Sequence, residues 1–100
     1  MSRVNIEVPH DKIEEFCRRH YIAKLSFFGC ILRDDFSSGS DVDVLVEFKP
    51  GHVPGLAFFS MESELSGILG RKVDLQTPQF LSRHFRDEAL REAEVHYVAP

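Results

Sequence analysis

One hundred residues, 43% of them hydrophobic and 28% charged, fit one small globular domain over residues 1–100, with length for a single core. Sixteen acidic residues against twelve basic ones give a formal charge of −4, which argues against a chain that lives on phosphate-backbone attraction, so nucleic acid is not the expected main partner. The longest apolar runs, such as Val44-Leu45-Val46 and Gly55-Leu56-Ala57-Phe58-Phe59, fall far short of the roughly 20 residues that span a bilayer. The first residues carry no apolar signal region, so a cytoplasmic protein away from the membrane is expected.

Val4, Ile6 and Val8 alternate with polar residues, which predicts a short edge strand or an extended arm. Pro9-His10-Asp11 opens a helix with Ile13, Phe16, Cys17 and His20 on one stripe. Arg18 and Arg19 lie near its C-terminal end, where they complement the helix dipole. The dense apolar run over 22–28, interrupted by Lys24, reads as a mostly buried strand broken by Gly29. Residues 30–33 fit a short helical turn, and 34–40, ending in Ser37-Ser38-Gly39-Ser40, fit a loop.

Residues 41–48 predict a second strand, with Val42, Val44 and Val46 on one face and Asp41, Asp43 and Leu45 on the other. The segment 49–55, with Pro50, Gly51, Pro54 and Gly55, suits only a turn-rich connection. Phe58, Met61, Leu65, Ile68 and Leu69 then repeat at helical spacing up to Gly70, a natural terminator. A third strand is expected over 72–76, ended by Thr77-Pro78, and a last helix along Leu81, Phe85, Ala89 and Ala93. Residues 95–99 suit a final extended piece. Strands alternating with helices in so short a chain predict an α/β fold, a small sheet with helices packed on it. Two cysteines without a secretory signal do not make a disulfide framework, and five scattered histidines show no zinc-ligand spacing.

The chemistry concentrates in Phe28-Gly29-Cys30-Ile31-Leu32-Arg33 and Ser40-Asp41-Val42-Asp43-Val44-Leu45-Val46. Aspartates at i and i+2 of a strand point to one side, about 7 Å apart at roughly 3.3 Å per residue. Core strands normally avoid such a pair, because neighbouring carboxylates repel and lose hydration. A cation is the obvious compensation, and hard oxygen ligands select magnesium or manganese over zinc. Asp74, between Val73 and Leu75, is a third carboxylate within an apolar run. If its strand neighbours that of Asp41, the three carboxylates converge as ligands for two metal ions. The Gly29-Cys30 turn, between strand and helix, offers backbone N–H groups to a phosphate, and Arg33 one turn along would neutralise phosphate charge.

Gly29-Cys30, ten residues and then Asp41-Val42-Asp43 resembles the signature of the DNA polymerase β-like nucleotidyltransferases, which is Gly-Ser, a similar spacer and Asp-x-Asp. Phe28-Gly29 with Arg33, the run 40–46 and Gly70-Arg71-Lys72-Val73-Asp74-Leu75 look specifically like the minimal nucleotidyltransferases, over roughly residues 10–80. The resemblance implies a mixed sheet of polymerase β-like fold. Asp41, Asp43 and Asp74 would be catalytic and hold Mg²⁺ in a two-metal site, with ATP as substrate and Gly29, Cys30, Arg33 and Ser40 on the nucleotide. It also implies transfer of AMP to a hydroxyl, a tyrosine above all, of a partner protein, and a role as antitoxin of a HEPN-type ribonuclease toxin. A hetero-oligomer or homodimer is expected. The family's serine is Cys30 here, and a thiol is the weaker hydrogen-bond donor. The alternative expectation is therefore a binding module that neutralises a partner toxin by contact alone.

Overall fold

The structure, a computed structural model, describes residue 4, residues 6–32 and residues 41–100, without the side chains of Cys30 and Phe80. In chain order these fold as helix α1 (His10–Arg19), strand β1 (Ile22–Phe28), a 3₁₀ turn (Gly29–Leu32), β2 (Val42–Phe48), α2 (Ala57–Leu69), β3 (Val73–Gln76), a second 3₁₀ turn (Pro78–Phe80), α3 (Arg83–Glu92) and β4 (Glu94–Val98). The four strands make one mixed sheet in the order β3-β2-β1-β4. β1 runs antiparallel to both β2 and β4, and β2 runs parallel to β3. Parallel neighbours need a crossover, and α2 is that crossover.

The sheet has two unequal faces. Val42, Val44 and Val46 of β2 and Val73 and Leu75 of β3 point to the main core, where they meet Ile13, Phe16 and Cys17 of α1 and Phe58, Met61 and Leu65 of α2. Each large apolar side chain buried there contributes about 1.5–3 kcal/mol relative to exposure. Val4, Ile6 and Val8 pack against this core without joining the sheet, so the expected N-terminal segment is an arm and not an edge strand. The opposite face carries a smaller cluster of Phe28, Leu45, Leu81 and Ala89.

β1 buries Ile22, Leu25 and Phe27 on the same core, although residues 22 and 25 would face opposite sides of a regular strand. A register shift between Ile22 and Lys24 against β2 inserts the extra residue that brings them into phase. Gly70 closes α2 in the left-handed conformation, at φ +69°. The last helix begins two residues later than its apolar stripe, with Ser82 as its N-cap: the Phe85 N–H donates to Ser82 Oγ at 3.4 Å. Among the described residues no helix is long and apolar enough to cross a membrane.

Candidate active site

Three strand ends position the expected site. β1 ends at Phe28, which pairs across the sheet with Asp43, and the chain then turns at Gly29 with φ +76°. Asp43 in turn sits in register with Asp74 of β3, so the two carboxylates stand side by side on the face opposite the main core. A Cβ at Gly29 would overlap Oδ2 of Asp43 and lie 3.3 Å from its Cγ. Glycine is thus required twice, by the left-handed backbone and by the close approach of a carboxylate.

Asp43 is half-buried, whereas Asp41 and Asp74 are exposed. Burial, and then the charges of Asp74 and Asp41, push the Asp43 carboxyl up to about 6. Asp43 and Asp74 line one cavity of about 320 Å³, together with Phe28, Gln76, Ser82 and Phe85. The Gln76 amide donates to Asp74 Oδ1 at 2.9 Å. Asp41 precedes β2 and lies outside this lining, its Oδ2 being 3.9 Å from Lys72 Nζ.

The structure therefore brings together Gly29, Asp43 and Asp74, and it holds Asp41 near enough to act on Asp43 through its charge. Among the described residues no three carboxylate, imidazole or thiol side chains stand close enough to hold a metal ion as placed. The donor set is nevertheless one of hard oxygens whose mutual repulsion a divalent cation would relieve, and in that respect it fits magnesium. Arg33 and Ser40 lie outside the described residues, as does the Cys30 side chain. The Cys30 backbone occupies the 3₁₀ turn after Gly29, in line with the short helical turn expected there.

Sequence reasoning missed Gln76, Ser82 and Phe85 as cavity residues. For Gln76 the signal is the strand period, since residues i and i+2 of a strand share a face and Gln76 therefore lies beside Asp74. Ser82 and Phe85 reach the cavity through the packing of α3, which no local pattern specifies.

Residues 10–97 match the nucleotidyltransferase domain family. The chain belongs to that family. It is similar to the protein adenylyltransferase MntA of Thermococcus cleftensis, at 32% identity over 80 residues that cover 79% of each chain. Among solved structures, one provisionally described as a minimal nucleotidyltransferase superposes with a TM-score of 0.71 at 30% identity, over 85% of this chain and 86% of the other. A second, of the tri-AMPylated Shewanella oneidensis HEPN toxin in complex with MNT antitoxin, gives a TM-score of 0.67 at 17% identity, over 90% of this chain and 70% of the other. At that identity the second likeness shows the fold alone. The nucleotidyltransferase domain is an enzyme of the transferase class, and its mixed four-stranded sheet is the polymerase β-like arrangement expected from the sequence.

Proposed function

We propose that this nucleotidyltransferase moves AMP from ATP to a hydroxyl of a partner protein, a tyrosine hydroxyl above all, with Asp41, Asp43 and Asp74 as the carboxylates that hold Mg²⁺. The acceptor hydroxyl gives up its proton to a neighbouring carboxylate or to water as its oxygen bonds to the α-phosphorus, the bond to the bridging oxygen of the β-phosphate breaks, and pyrophosphate leaves with the electron pair. Magnesium, when bound, supplies charge neutralisation on the phosphates and orients them. Asp43 and Asp74 present the two adjacent carboxylates, and Asp41 completes the set by exchanging Lys72 for the cation. Gly29 lets the turn lie against the Asp43 carboxylate, and Cys30, Arg33 and Ser40 are the further residues assigned to the nucleotide.

The single observation that carries this reading is the register pairing of Asp43 with Asp74 beside the left-handed Gly29. The MntA relative, named as a protein adenylyltransferase, and the AMPylated HEPN toxin held by its MNT antitoxin support the acceptor class and the antitoxin role. The partner is accordingly a HEPN-type toxin, bound as a hetero-oligomer. Incubation with α-labelled ATP, Mg²⁺ and a HEPN-type partner should leave label on the partner. An unlabelled partner that is still neutralised by the Asp43→Asn protein would instead establish neutralisation by contact alone.

A further inference from the structure

Leu81, Phe85 and Ala89 recur every four residues, and such a stripe buries all three members when a helix lies flat on a sheet. Here Leu81 and Ala89 are buried against Phe28 and Leu45, but Phe85, the largest of the three, remains 48% exposed. Its ring stands at the lip of the cavity that holds Asp43 and Asp74, tilted by 62° to Phe28 with centroids 6.2 Å apart. The cavity is therefore two-natured. Carboxylates suited to a cation and its phosphates form part of the wall, and aromatic rings form another part. The Ser82 hydroxyl and the Gln76 amide add polar groups between them in kind. A nucleotide has the same division, a charged chain joined through a ribose to a flat aromatic base.

We propose that Phe85, backed by Phe28, is the platform on which the nucleobase of the substrate stacks. This inference rests on the nucleotidyl-transfer reading and assigns the base end of the same site. Stacking explains why a large apolar side chain beside the carboxylates stays half open to solvent: the face left uncovered in the protein is covered by the base. Anchoring on α3 suits this role, because the Ser82 cap and the buried Leu81 fix the start of the helix and the buried Ala89 holds its later turn, which together set the position of the ring.

Calorimetric binding of ATP and of inorganic tripolyphosphate, each with Mg²⁺, to the intact protein tests the assignment, since tripolyphosphate keeps the charge and lacks the base. Phe85→Ala is expected to weaken ATP roughly tenfold or more, the usual range for a lost base–aromatic stack, and to leave tripolyphosphate unchanged. Phe85→Leu keeps apolar bulk and should resemble Phe85→Ala, whereas Phe85→Tyr should bind ATP within about twofold of the parent, because the ring face is retained. Equal weakening of both ligands, or parental ATP affinity in Phe85→Leu, overturns the platform and leaves Phe85 as packing. A parent protein that binds neither ligand overturns the platform and the nucleotidyl-transfer reading together. ATP binding that ignores Phe85 but is lost in Asp43→Asn overturns the platform alone.

Discussion

Gly29 is the residue on which the site geometry turns, because its φ of +76° and the nearness of Asp43 Oδ2 both exclude a side chain. Gly29→Ala is expected to cost at least about 1–2 kcal/mol from the left-handed backbone alone, and more as the carboxylate is displaced. A urea melt should show the lost stability, and Mg²⁺-dependent ATP binding should fall with it. Asp43 carries a second prediction. Folding raises its carboxyl from the ordinary 3.8 to about 6, so the folded state holds the proton more tightly than the unfolded chain. That contribution is full below about pH 4 and is lost as pH rises through about 6, so the metal-free protein should melt later near pH 5 than near pH 8. Asp43→Asn should flatten the profile, and Mg²⁺ should raise the melting temperature mainly at the upper pH. Cys17 lies in the main core. It is fully buried, and burial pushes its thiol up to about 12. It should resist alkylation near pH 8 in the folded protein and be labelled in urea, as peptide mapping would show.

At the scale of elements, β3 is short and lies at the sheet edge, yet its outward N–H groups are satisfied by the helix that precedes it. The Val73 N–H donates to Ser66 Oγ at 3.0 Å, and the Leu75 N–H donates to Glu62 Oε2 at 2.8 Å. These bonds flank Asp74 and hold the strand against α2, so the helix both covers an edge and positions a site carboxylate. Glu62→Ala should cost about 1–3 kcal/mol by leaving a partly buried donor unpaired, and Glu62→Gln, which keeps an acceptor, should recover most of it in denaturant titration. Nothing in local propensity forecasts this pairing, because it joins residues thirteen apart through a side chain. The strand itself was legible from Val73, Leu75 and the stop at Thr77-Pro78.

At the scale of the molecule, the elements that alternate cleanly were readable from the chain: the β2 valines against Asp43 and Leu45, the α2 stripe, and α1 up to Arg19. Those whose fate depends on partners were not. The N-terminal arm has the alternation of a strand yet packs against the core outside the sheet, and β1 needs a bulge that only its partner strand reveals. The sequence leaves Phe85 open between core and interface, and among the described residues one short helix covers the second side of this sheet, so the cavity stays open beside the carboxylates. Within the site, Asp43 and Asp74 were legible as acidic residues in apolar strands, whereas their pairing in register came from sheet order, and the ion pair of Asp41 with Lys72 from neither.

Nucleotidyl transfer is proposed to run on the register-paired carboxylates of Asp43 and Asp74. Mass spectrometry of a HEPN-type partner after incubation with Mg²⁺ and ATP tests it most directly, run for the parent protein, Asp43→Asn and Asp74→Asn in parallel. AMP adducts with the parent and their loss in both variants, each folded by circular dichroism, is the predicted result. Adducts formed equally well by Asp43→Asn and Asp74→Asn would contradict it.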